Sequence, residues 1–199
     1  MTIARLIKML PDPITTERLV LRQPNMADAP ALHRLANNRN IFEMLARLPH
    51  PYTRAHAVDF ITSVARSASE HAYAITSRDD DFLGVIGLHL PERKTDGQGG
   101  REYEQKAGGK ASQKTGPELG YWLGQPHWGK GYATEAVKGL LAAAHKVGIT
   151  TISAHAITRN TGSINVLLKA GFIISGQTTA DCGQHQKQDQ TILKWEAGT

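Results

Sequence analysis

The sequence predicts one α+β domain over residues 1–199, with a central, largely antiparallel sheet flanked by helices. Three features carry this. Two apolar runs of strand length, 71–77 and 82–90, flank Asp79-Asp80-Asp81, which is a hairpin signal. Within 132–147, Ala133, Ala136, Val137, Leu140, Leu141, Ala144 and Val147 fall at offsets 0, 3, 4, 7, 8, 11 and 14, the stripe of a helix with one buried face. Strand-length runs at 118–124 and 151–157 stand on either side of that helix.

In chain order, residues 1–12 read as an N-terminal extension. A short strand covers 18–23, and a helix covers 26–36 with Asn25 or Asp28 near its start. Thr53 can cap a helix over 54–68, with Val58, Ile61 and Ala65 on one face. After the hairpin, composition breaks over 92–116: six glycines, with Tyr103, Ala107 and Ala111 as the only apolar residues. Such a segment buries too little surface to offset its ordering entropy, so 92–117 reads as a mobile inserted loop. The helix after 118–124 stops at Gly148, with His145 and Lys146 in its last turn. Beyond the strand 151–157 come a helix over 162–170 ended by Gly171, a strand over 172–176 and a closing strand over 190–195.

Composition excludes several classes. No apolar run approaches the roughly 18 to 20 residues of a membrane span. Arg5 and Lys8 interrupt the first apolar residues, which makes a poor signal peptide. Cys182 is the only cysteine, so no intrachain disulfide framework exists, and a reducing cytoplasm fits best. Cys182 and His185 are two ligands at most, and the nine histidines show no ligand spacing; no metal is expected. Lys and Arg number 23 against 18 Asp and Glu, a net +5 that suits an anionic ligand. The 92–116 stretch holds +2 of that charge with acids interleaved and almost no aromatics, which argues against nucleic acid. Monomer and homodimer both remain open.

The chemistry concentrates where the strand starting at Glu118 runs through Gln125-Pro126-His127-Trp128-Gly129-Lys130-Gly131 into the helix starting at Tyr132. A helix start offers free N–H groups and the positive end of the macrodipole, a seat for phosphate or pyrophosphate. Gly129 and Gly131 let the backbone approach oxygen closely, Lys130 adds a cation and Thr134 a hydroxyl. Taken alone, the turn reads first as a plain glycine turn ahead of a helix. It has neither the P-loop nor the dinucleotide glycine spacing.

Asn160-Thr161-Gly162-Ser163 places Asn and Ser at the entrance of the next helix, followed by Leu167-Leu168-Lys169-Ala170-Gly171-Phe172. Together with Thr16-Glu17-Arg18-Leu19-Val20-Leu21-Arg22, Glu118-Leu119-Gly120-Tyr121-Trp122 and the block from Trp128 to Ala136, the chain resembles the GNAT N-acetyltransferase superfamily. It is most similar to the Rim-type branch, whose members acetylate the N-termini of ribosomal proteins. The resemblance implies a GNAT-like fold with acyl-CoA in a splay between two parallel strands. It also implies acetyl transfer from acetyl-CoA to a primary amine, a protein N-terminus or a small molecule, by direct attack in a ternary complex.

Residue by residue, the resemblance implies that Trp128, Gly129, Lys130, Gly131, Tyr132, Ala133 and Thr134 hold the pyrophosphate. Asn160 and Ser163 would flank the pantetheine, and the backbone N–H groups of Tyr121 or Leu123 would pair with it and polarise the thioester. Glu118 is the candidate base and Ser163 the candidate acid for the leaving thiolate. The acceptor would lie between 37–52 and the closing strands. Two departures stand out. Trp128 replaces the usual Gln or Arg at the first loop position. No tyrosine follows Tyr132, so the acid role that many members give to a later tyrosine falls to Ser163 or water. Plainer readings remain for Glu118 as an ordinary strand carboxylate, Asn160 and Ser163 as cap residues, and Trp122 and Trp195 as packing. A non-catalytic acyl-CoA-binding or sensor module on the same fold is the rival function.

Overall fold

The computed structural model describes residues 1–90, 116–182 and 185–198. The inserted loop expected over 92–117 lies outside them, apart from Gly116 and Pro117. The elements are α1 (Ile3–Ile7), β1 (Ile14–Thr15), β2 (Leu19–Arg22), α2 (Ala29–Ala36), α3 (Arg39–Phe42), α4 (Arg54–Asp59), β3 (Glu70–Ser77), β4 (Phe82–His89), β5 (Glu118–Leu123), α5 (Tyr132–Lys146), β6 (Thr151–Ile157), α6 (Thr161–Lys169), β7 (Ile173–Cys182) and β8 (His185–Glu196). The strands form one mixed sheet in the order β1-β2-β3-β4-β5-β6-β8-β7. Every neighbouring pair is antiparallel except β5 and β6.

Each face of the sheet has its own apolar layer. On one, α5 packs Val137, Leu140 and Leu141 against Leu19, Leu21, Ile75 and Ile86. On the other, α2 and α4 cover Ala72, Ala74, Phe82 and Val85 with Leu32, Leu35 and Ala57. β4 is buried on both faces, which is why its sequence reads as a continuous apolar run. A bulge lets it serve both layers: Ile75 opposes Gly84 and Thr76 opposes Phe82, leaving Leu83 as the extra residue. Leu83 therefore joins Ile86 and Leu88 on the α5 face, while Phe82 joins Val85 on the other.

Most expected elements are present, with informative differences. The helix expected over 54–68 starts at Thr53, whose Oγ1 accepts the His56 N–H at 3.2 Å. Its α geometry ends at Asp59 and continues as one π turn, Phe60–Val64. In an α-helix Ala57 and Ala65 would lie about 80° apart around the axis. The wider turn takes up that excess, so both are buried while Val58 and Ile61 are half-buried. The strands expected over 172–176 and 190–195 extend into a long β7–β8 hairpin in which Cys182 pairs with His185 at the strand ends. The N-terminal extension carries α1 and buries Ile7 and Leu10 in the core. No described helix is long and apolar enough to cross a membrane.

Candidate functional site

β5 and β6 pair at a single rung, Glu118 with Ser153, where the Ser153 N–H donates to Pro117 O at 3.0 Å. Past that rung the parallel strands part toward Leu123 and Ile157, so the expected splay is present. Gly124 N–H donates to Leu83 O of β4 at 2.8 Å. Backbone groups alternate sides along a strand, so Gly120 and Trp122 turn theirs to β4, whereas Tyr121 and Leu123 turn theirs into the gap. A cleft of about 1970 Å³ fills the splay, with Glu118, Tyr121, Trp128, Gly131, Asn160 and Ser163 among its walls.

At the open end lies the glycine turn. Gly129 has φ +74° and Gly131 φ +80°, left-handed conformations that glycine adopts without strain. Gly131 is the N-cap of α5 and supplies no side chain. The first intrahelical bond runs from Glu135 N–H to Gly131 O at 3.1 Å, so the N–H groups of Tyr132, Ala133 and Thr134 start the helix without a side-chain cap. The Trp128 indole Nε1–H donates to Leu123 O at 2.8 Å and folds the turn back onto β5.

A distant contact braces this turn. Glu135 Oε1 accepts from Thr16 Oγ1 at 2.6 Å and from the Arg18 N–H at 2.7 Å, and Oε2 accepts from Arg18 Nε at 2.7 Å. Arg18 Nη1 also donates to Lys130 O at 3.1 Å, and its guanidinium covers the Tyr132 ring at 4.8 Å. Burial raises the Glu135 carboxyl, but the hydrogen bonds from Thr16 and Arg18 outweigh it and hold the group below its usual value. Sequence reasoning missed this brace, although Arg18 and Glu135 both stand in the matched segments.

Across the gap, Asn160 caps α6 by accepting the Ser163 N–H at Oδ1, 3.0 Å away. Ser163 Oγ lies 2.9 Å from the Tyr121 hydroxyl, which also donates to Ser163 O at 3.1 Å. Burial pushes the Tyr121 phenol up to about 12, opposed in part by the Ser163 hydrogen bond. A phenol thus reaches the serine from β5, where only a backbone role was expected of Tyr121. Tyr121, Asn160 and Ser163 converge on the α5–α6 face of the sheet. Glu118 is three residues from Tyr121, so its side chain leaves β5 on the opposite face. There it is half-buried, with no ion-pair partner among the described residues. Gly120 shares that face, and a Cβ on it would meet no atom within 4 Å. Met44, Leu48, Tyr52 and Phe60 form the facing wall. Among the described residues, no group of three or more His, Cys, Asp or Glu could hold a metal ion.

Comparison with known proteins adds an independent line. A family model described as an acetyltransferase (GNAT) domain matches residues 18–173. An N-acetyltransferase of Bacillus licheniformis, p20, is 26% identical over 161 residues, 79% of this chain and 80% of that protein. Among solved structures, the ribosomal L7/L12 alpha-N-protein acetyltransferase RimL, in complex with coenzyme A, is 17% identical. It covers 93% of this chain and 98% of its own, with a TM-score of 0.72. The spermidine N-acetyltransferase of Vibrio cholerae, in complex with CoA and spermine, is 18% identical, covering 89% and 95% with a TM-score of 0.67. At these identities the two structures establish the shared fold.

Proposed function

The chain belongs to the GNAT acetyltransferase family, and from that premise we propose that it moves an acetyl group from acetyl-CoA to a primary amine by direct attack in a ternary complex. The observation that carries the proposal is the uncapped start of α5 at the mouth of a strand gap into which Tyr121 and Leu123 turn their backbone N–H groups. The two glycines, the helix start and Lys130 suit a pyrophosphate; the gap suits an extended pantetheine arm that pairs with β5. Tyr121 or Leu123 N–H then polarises the thioester carbonyl.

The cofactor half and the acceptor half lie on opposite faces of the sheet. Glu118, on the acceptor face, takes the proton that the ammonium must lose before it can attack. A peptide α-amine with pKa about 8 gives that proton up more readily than a lysine near 10.4, which favours a protein N-terminus over a lysine side chain. The likeness to the Rim-type branch points the same way. On the far side, the Ser163 hydroxyl, hydrogen-bonded by Tyr121, protonates the departing thiolate.

Glu118→Gln tests the assignment, since it keeps shape and removes basicity. Thiol release at neutral pH with the best amine of a panel of peptides, polyamines and amino acids should fall by about 10²- to 10⁴-fold. The loss should shrink as pH rises toward the amine's own pKa, while acetyl-CoA affinity stays within about threefold, under 1 kcal/mol. Near-full activity at pH 7 would remove Glu118 from the mechanism. Acetyl-CoA binding with no thiol release from the parent on any amine would point instead to a non-catalytic acyl-CoA module.

A further inference from the structure

We propose that His89 carries protons away from Glu118, held in place for that task by Glu70. The proposal rests on the acetyltransferase reading above and adds a proton path to it.

Glu70 stands directly opposite His89 in the β3–β4 ladder, and His89 directly opposite Glu118 in the β4–β5 ladder. Residues opposite one another share a face, with Cβ atoms about 4.5 to 5.5 Å apart. The three side chains therefore form one row across the sheet, on the face that carries Val85. Glu70 and Glu118 both line the cleft, and in the strand register His89 stands between them. Leu90 N–H donates to Ser69 O at 2.8 Å, which makes Glu70 and His89 a non-hydrogen-bonded pair, the kind whose side chains approach most closely.

The imidazole is held in one orientation. His89 Nδ1 is 3.2 Å from Glu70 Oε2. With Nδ1–H donated there, Nε2 keeps its lone pair, the arrangement of a base set by an orienting carboxylate. Arg47 Nη1 lies 3.6 Å from the same Glu70 oxygen. Charged or titratable groups about this row include Glu70 on β3, Glu118 on β5 and Arg47 between α3 and α4, with Glu43, His56, Asp59 and Arg159 lining the same cleft. None of this is needed to hold the sheet, whose neighbouring rows on this face are apolar or glycine: Ala72, Gly87 and Gly120, then Ala74, Val85 and Trp122.

The proton balance is simple. The acceptor ammonium loses a proton to the Glu118 carboxylate. The neutral amine attacks the thioester carbon, the C–N bond forms and the C–S bond breaks. The attacking nitrogen gives a second proton to solvent, and the thiolate takes one back from solvent on the α6 side, so the one proton released overall is the one that Glu118 holds. Glu118, now a carboxylic acid, passes its proton to His89 Nε2 through an intervening water, because an imidazole is ordinarily the stronger base of the two. The imidazolium then releases it to solvent, and Glu118 is an anion again for the next acceptor. His89 acts through Glu118 and is a positioning and relay residue rather than a catalytic one.

The test is the pH profile of kcat and of kcat/KM for the acceptor, read by thiol release, for the parent, His89→Gln and Glu70→Gln. His89→Gln should lower kcat about tenfold, a fraction of a full general-base effect, and remove the limb that a titrating imidazole contributes, with acetyl-CoA affinity unchanged. Glu70→Gln, which leaves the imidazole in place without the carboxylate that orients it, should lower kcat several-fold and change the shape of its pH profile while the acceptor KM and acetyl-CoA affinity stay as in the parent. The second variant decides the question if the first does not fold. An active parent whose profile neither variant alters in shape overturns this proposal alone. A parent that releases no thiol with any amine overturns the acetyltransferase reading and this proposal with it.

Discussion

The turn before α5 gives the most direct test of the proposed phosphate seat. Gly131 has φ +80° and caps the helix; a Cβ there would lie 3.4 Å from Arg18 Nη2, close but tolerable. A Cβ on Gly129, at φ +74°, would meet no atom within 4 Å. Space therefore admits alanine at both positions, and the cost is conformational. Holding an L-residue in the left-handed region costs roughly 1 to 2 kcal/mol. The chain can absorb that cost in place, or relieve it by rotating residue 131 and swinging the N–H groups of Tyr132, Ala133 and Thr134 off their common direction. Gly131→Ala should hold, melting roughly 2 to 8 °C lower at about 2 to 4 °C per kcal/mol for a chain of this size. Gly131→Val, branched at Cβ, cannot hold without severe strain and should rotate. Acetyl-CoA affinity measured by calorimetry should then fall at least about tenfold, or 1.4 kcal/mol. If Gly131→Val binds acetyl-CoA as tightly as the parent and melts at the same temperature, the left-handed turn is not what seats the cofactor.

Three further outcomes are expected. Gly120→Val would project a branched side chain into open cleft on the Glu118 face; acceptor KM should rise several-fold while calorimetry finds acetyl-CoA affinity unchanged, and the reverse split would move the acceptor elsewhere. Tyr121→Phe removes the hydroxyl 2.9 Å from Ser163 Oγ; kcat should fall about tenfold and Ser163→Ala should add little on top, whereas additive losses would show that the two act apart. His71 is pushed down to about 4 by burial and the neighbouring Arg66, with Asp12 opposing. The unfolded chain therefore binds this proton first as pH falls, so stability is full above about 6.5 and declines toward 4. The loss should be about 1 to 2 kcal/mol, below full conversion because the ring keeps some solvent screening, and denaturant titrations of His71→Gln should show a flatter slope across that range.

How much of this was legible in the sequence followed from which physics is local. The α5 stripe, the Asp79–Asp81 hairpin and the glycine turn announce themselves because periodicity and turn chemistry act over a few residues. β7 and β8 run on past their apolar ends because Gln177, Thr178, Thr179, Gln188 and Asp189 pair through backbone and polar side chains, Thr179 Oγ1 donating to Asp189 Oδ1 at 2.7 Å, which leaves no apolar signal. The π turn after α4 is invisible because it responds to what Ala57 and Ala65 must both touch. In the site, Asn160 and Ser163 could be placed from their position at a helix start. The Tyr121 phenol could not, since its direction depends on which face of β5 meets α6. The Arg18–Glu135 brace joins residues 117 positions apart, a pairing that only the folded sheet brings about.

The solitary rung between Glu118 and Ser153 makes the eight strands behave as two leaves bound at one stitch. The first leaf runs from β1 to β5, the second takes in β6, β8 and β7, and within each the ladders are continuous. Elsewhere, side chains such as Leu119, Ile152 and Leu193 in the layer beneath α5 join the leaves. In the proposed reading, a pantetheine arm in the seam would supply the missing backbone partners for one leaf and contact the other through α6. In that reading the donor would thereby act as a temporary strand of the protein, joining the two leaves along their length for as long as a pantetheine arm, acetylated or free, lies between them.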